Sequence, residues 1–172
     1  RFRTSCSQKR ELSCQIVRQP RMGGALARMS FKFKLGVGAC GFNLGMLVGN
    51  LGFSNADAVA ALNPDMFSPF GQAMVLVWGV TYLAAGITEA GAPVWCAFAL
   101  EKLAYAVGWL RWMSRNDAAA LVSAAVGTGD LGSVLAAGFH AAYGPGDAAF
   151  MLAFLYAARR SATCRSDMPK HD

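Results

Sequence analysis

The chain is 172 residues long, which is one domain's worth of sequence; it is 55% hydrophobic and 15% charged, against about 25% charged in an ordinary soluble domain. Its formal charge of +6 is carried by the two ends: nine basic residues with one acid, Glu11, fall within 1–34, and four more (Arg159, Arg160, Arg165 and Lys170) close the chain. Without aromatics interleaved on a folded basic platform this pattern speaks against nucleic-acid binding, and it fits positive anchoring of both ends to an anionic lipid surface.

Residues 1–34 read as a polar, basic N-terminal arm broken by Pro20 and Gly23-Gly24. The arm is rich in Arg and Ser and poor in acids, the composition of an organellar transit sequence, and with Arg1 in first place an upstream segment is expected. Import into a plastid or mitochondrion is the expectation, with a bacterial inner membrane as the alternative. Of the five cysteines none forms a CxxC pair; Cys40 and Cys96 fall in apolar stretches and read as small core residues.

From Leu35 to Ala56 there are 22 residues without a charge, enough for a helix to cross a hydrocarbon core of about 30 Å. Gly41, Gly45 and Gly49 repeat every fourth residue and form a side-chain-free groove for helix packing, either within the bundle or against a partner or pigment. Asn43 and Asn50 lie on the opposite face, suited to interhelical hydrogen bonds or to ligating a pigment metal. Residues 54–69, with Asp57, Pro64, Asp65 and Pro69, read as a loop. A second uncharged stretch, Met66–Thr88, predicts a helix starting near Pro69, because proline suits the first helical position. Glu89–Pro93 reads as a tight turn.

The third span is predicted from Pro93 to Met113, with Glu101 and Lys102 near its middle. Trp95, Phe98, Lys102, Tyr105, Trp109 and Trp112 follow a 3-4 spacing, a seam that either packs or walls a chlorophyll, carotenoid or quinone. Glu101 points about 100° away from Lys102, so the two do not pair along one face. A charge at mid-membrane costs about 2.5–3.5 kcal/mol on insertion scales, so Glu101 needs an amide, cation, water or metal, and Lys102 a carboxylate or acidic head group.

Residues 118–158 are too many for one span and too few for two. The repeated elements Gly127–Asp130 and Gly144–Asp147 suggest two glycine breaks, each with an Asp capping the next helix. One full crossing plus a half-length helix is expected, broken at Gly144-Pro145-Gly146. His140, alone in an apolar segment, is a candidate axial ligand for chlorophyll magnesium or haem iron, or a packing residue; with His171 in the polar tail, a bis-histidine haem is excluded.

The sequence holds no Walker loop, HExxH, Ser-His-Asp set or iron–sulfur cysteine pattern. Nor does EKLAYAVGW match the ExxH or ExxN carboxylate–arginine signature of light-harvesting antenna proteins. The expected architecture is all-α: a polytopic membrane protein with a basic arm (1–34), a bundle of about four transmembrane helices (35–160) and a polar tail (161–172), both ends on one side. The expected function is non-enzymatic, an accessory subunit of a large organellar energy-transducing complex. A plastid photosystem, photosystem I of an alga, is favoured over a mitochondrial respiratory complex. It would contact lipids and neighbouring subunits and hold chlorophyll or carotenoid through His140, Glu101, Asn43 and Asn50, with no metal site of its own. The alternative is a small carrier or channel using Glu101, Lys102, Asp130 and Asp147.

Overall fold

The computed structural model describes residues 30–166, with side chains to Thr163; the arm up to residue 29, Cys6, Cys14, the end of the tail and His171 lie outside the described residues. Every described element is helical: α1 (Phe31–Gly49), a 3-10 turn (Gly52–Asn55), α2 (Ala56–Leu62), α3 (Pro64–Phe67), α4 (Pro69–Ile87), α5 (Ala92–Met113), α6 (Ala118–Thr128) and α7 (Leu131–Ser166).

Local chemistry sets the boundaries. Ser30 caps α1 by accepting from the Phe33 amide at 3.1 Å, and Ser68 caps α4 by accepting from Gly71, with Pro69 in the first helical position as its fixed φ favours. Left-handed Leu51 and Gly52, both at φ 61°, turn the chain after α1. The first helix therefore ends at Gly49 rather than Ala56. Residues expected to form a loop are instead the 3-10 turn, α2 and α3, the first two bent 57° from α1. Glu89, at φ 53°, makes the expected tight turn before α5.

The half-length helix of the last apolar stretch comes first, as α6, and the break falls at Gly129, a left-handed C-cap at φ 69°, followed by Asp130. Asp130 caps α7: its carboxylate accepts from the Ser133 amide at 2.7 Å, and Ser133 holds this exposed carboxyl below the usual carboxylate range. The second glycine break does not exist. Pro145 lies inside continuous α7, and its flanking glycines serve close approach instead: a Cβ at Gly144 would overlap the Trp109 indole, and one at Gly146 the Phe42 ring.

Four long helices form two antiparallel hairpins. In the first, α1 lies against α4 so closely that a Cβ on Gly36 would sit 2.5 Å from the Tyr82 carbonyl, and one on Gly86 2.9 Å from that of Lys32. In the second, α5 lies against α7 along two matched seams. The α5 seam is the one read from sequence, packed inward. The α7 seam is Ala136, His140, Tyr143, Asp147, Phe150, Phe154 and Ala157, also spaced alternately four and three. One core cluster joins Tyr82, Trp95, Phe98 and Phe154; a second, nearer the loops, gathers Val59, Phe67, Ala136 and Tyr143.

Both described ends lie together, with the Phe31 and Tyr156 rings 5.3 Å apart. Among the described helices, Pro69–Ile87 alone is long and apolar enough to cross a membrane by itself, and α1 with its bent continuation through Leu62 passes as a broken span. Helix α5 falls short of that standard with its charges at mid-length.

Candidate functional site

Two charged side chains and an amide meet half-way along the bundle, where the two hairpins face each other. Lys102 of α5 donates to Asp147 Oδ1 of α7 at 2.6 Å and to Asn43 Oδ1 of α1 at 3.0 Å, all three residues being buried. The Asn43 amide nitrogen donates to the Val75 carbonyl of α4 at 2.9 Å, so one asparagine ties three helices and has both of its polar atoms engaged. The ammonium also lies 5.3–5.7 Å from the ring centres of Tyr82, Phe42 and Tyr105, whose negative faces favour a cation by about 0.5–2 kcal/mol each. Burial of an ion pair costs several kcal/mol per ion, and the amide and the rings supply what bulk water would have.

Beside it stands a second pair. The Tyr82 hydroxyl donates to the Glu101 carboxylate, joining α4 to α5. Glu101 points away from Lys102, as its helical position requires, and takes a phenol for its partner instead of an amide or a cation. It is only partly buried, where Lys102 and Asp147 are 3% and 4% exposed. Glu101, Lys102 and Asp147 border a narrow cleft of about 20 Å³ between the hairpins, whose walls include Phe42, Tyr105, Phe139 and Tyr143. A neighbouring cleft of about 20 Å³ shares Met46, Phe67, Val75 and Phe139 with it and is lined also by Asn50 and Gln72.

The sequence-derived candidates divide. Asn43, Glu101, Lys102 and Asp147 converge. Asn50 is two turns away, its amide donating to Met46 of its own helix and its Oδ1 buried with no hydrogen-bond partner among the described residues. Asp130 is apart, exposed at the start of α7, about 25 Å along the helix from Asp147.

His140 is fully buried. Its Nδ1 lies 2.8 Å from the Ala136 carbonyl, which can only accept, so Nδ1 carries the proton and Nε2 is a bare acceptor with no partner among the described residues. The imidazole is enclosed by the rings of Phe67, Trp112 and Phe139, 5.1–5.4 Å away, and borders none of the clefts; a pigment macrocycle would have to displace one of those rings to reach it.

Among the described residues Gly41, Gly45 and Gly49 pack against nothing: all three are exposed, and a Cβ on any of them would meet nothing within 4 Å, so the first of the two alternatives, packing within the bundle, is not met. The close α1–α4 contacts belong instead to Gly36, Gly79 and Gly86. Cys96 is exposed rather than a core residue, while Cys40 is buried as expected. Among the described residues no three His, Cys, Asp or Glu side chains converge to hold a metal ion. Sequence reasoning missed Tyr82 and Tyr143, which reach the cluster from α4 and α7. The α7 seam could have found Tyr143, since it repeats every 3.5 residues straight through Gly144-Pro145-Gly146.

No family model matches the chain, and no curated protein or solved structure matches it either.

Proposed function

We propose that this chain is a membrane-embedded, non-catalytic accessory subunit of a larger complex, with the Lys102–Asp147–Asn43 cluster clamping its two hairpins together. One observation carries the reading: large aliphatic side chains face outward along the bundle while charged and amide side chains are buried within it. Val48, Val77, Val80, Leu100, Val107 and Leu152 are each about half exposed or more, while Asn43, Gln72, Lys102, His140 and Asp147 are buried. Water favours the opposite arrangement, and lipid favours this one.

The subunit role is supported by the outward glycine groove of α1, flanked by Val37, Leu44 and Val48 and without an intramolecular neighbour. Close approach of backbones drives helix association in lipid, and such a face admits a helix of another protein. An organellar energy-transducing complex, with a plastid photosystem favoured, is proposed on the transit-like arm and the aromatic seam. Chlorophyll or carotenoid would lie along the outer apolar faces near Glu101.

The test is Gly45→Leu in the native host. Substitution into open space leaves the detergent-extracted chain folded, and the expected result is loss of co-sedimentation with a large complex. Co-sedimentation unchanged, or a chain recovered in the supernatant without detergent, would overturn the proposal. A carrier is the second reading, favoured by Glu101, Lys102 and Asp147 bordering one cleft. It predicts that Glu101→Gln abolishes ion flux in liposomes while assembly is unaffected.

A further inference from the structure

A roomier cleft lies apart from the charged cluster, at the loop end of the bundle. It encloses about 330 Å³ between the α2–α3 corner and the end of α5, a size at which pockets hold small organic molecules. Asn63, Asp65 and Met66 stand on one side of it, and Arg111, Trp112 and Arg115 on the other. The Trp112 indole donates to the Leu62 carbonyl at 2.9 Å, and the Met66 side chain lies against Gly108, so the two walls are tied to each other.

Three side chains in this cleft are uncommitted. Arg111 and Arg115, four residues apart, are exposed, and neither guanidinium makes a hydrogen bond or an ion pair among the described residues, even with Asp65 in the facing wall. Asn63 is only 7% exposed. Its side chain stands before α3 without capping it and has no hydrogen-bond partner among the described residues. An amide so far withdrawn from water calls for a partner, and the cleft it lines is where one fits.

The walls also state the partner's charge. Two guanidiniums against one carboxylate leave a single positive charge, which a monoanion neutralises. Each guanidinium offers a planar fork of N–H donors that matches the oxygens of a phosphate, and the Asn63 Nδ2 adds donors of its own. We propose that this cleft binds a phosphate monoanion, held by Arg111, Arg115 and the Asn63 amide. Two sources share that chemistry: the phosphodiester headgroup of an anionic glycerolipid, and free phosphate. The site is separate from the hairpin clamp and from the glycine groove, so it is tested on the isolated full chain whether or not that chain joins a larger complex.

The experiment is equilibrium binding of phosphorus-32-labelled ligands to the full chain in neutral detergent. One arm uses inorganic phosphate and the other phosphatidylglycerol, with tritiated diacylglycerol as the lipid that lacks a phosphate. One saturable site for a phosphate ligand is expected. Arg111→Gln with Arg115→Gln should weaken it by about tenfold or more, and Asn63→Ala by about three- to tenfold, at unchanged helix content. The charge-matched pair Lys34→Gln with Arg159→Gln, exposed residues at the other end that line no cleft named here, should leave it unchanged. Tighter binding of phosphatidylglycerol than of inorganic phosphate assigns the site to a lipid headgroup, and the reverse order to a soluble phosphate; both support the proposal. Absence of a saturable site in both arms overturns it, as does retention of diacylglycerol equal to that of phosphatidylglycerol. So does an equal loss from the Lys34 and Arg159 changes, which would mean attraction by net charge alone, or full affinity in either the arginine or the Asn63 variant.

Discussion

Lys102 has the most demanding position in the chain. Its ammonium lies among three aromatic rings and ends on Asp147 and Asn43, with 3% of the residue exposed. Removing one member of such a pair leaves the other charged and without water. Lys102→Met is therefore expected to destabilise the protein by about 3–5 kcal/mol, and the double change Lys102→Met with Asp147→Leu by much less, because well-packed apolar groups replace a buried pair at little net cost. Thermal unfolding of the four proteins of this cycle in one detergent checks it; additive losses would mean that the two residues do not act together. That Lys102 needs an acid was legible in its place mid-way along an apolar stretch. Which acid was not, because Asp147 follows a glycine and a proline and resembles a helix cap. The phenol beneath Glu101 was equally hidden, since tyrosines on apolar helices carry no charge to draw attention.

The helices themselves were legible wherever a stretch had one dominant signal. Pro69 after Ser68, and Pro93 after Gly91, mark starts that the structure keeps, and the aromatic 3-4 spacing of α5 marks a face that is buried. Helix α7 shows where such reading fails. Gly144-Pro145-Gly146 has the composition of a turn, and glycine and proline are costly in a helix exposed to water. The tertiary setting reverses the inference, because the missing side chains are what let Trp109 and Phe42 settle against the α7 backbone. Gly144→Ala should therefore destabilise, by about 1–3 kcal/mol, although alanine is the better helix former. Gly41→Ala, on an open face, should be neutral or mildly stabilising. Unfolding midpoints measured side by side decide the matter; equal effects would show that the close approach has no energetic weight. What covers the face of Gly41, Gly45 and Gly49 stayed open in the sequence for a related reason: glycine spacing identifies a groove without saying what lies in it.

At the scale of the molecule, the charges of the described residues fall into three layers. Lys32, Lys34, Arg159 and Arg160 sit with Glu89 at the end where both described termini lie; Asp57, Asp65, Asp117 and Asp130 sit with Arg111 and Arg115 at the other; Glu101, Lys102 and Asp147 lie between. The four long helices run in up-and-down order, which brings both described ends to one end of the bundle. With the bundle in a bilayer as proposed, single cysteines replacing Ser161 and Ser114, in a background lacking the native thiols, should react with an impermeant maleimide from opposite sides of sealed vesicles. Labelling from the same side would remove the spanning orientation. The middle layer also bears on biogenesis. In a bilayer as proposed, α5 and α7 would each carry into hydrocarbon one member of the Lys102–Asp147 pair, at a cost of at least about 2.5 kcal/mol per unpaired ion. A nascent chain that stops after Met113 would then hold the ammonium without Asp147. On that proposal the second hairpin would enter lipid as a unit, and the orphaned lysine would be a ready mark of an unfinished molecule.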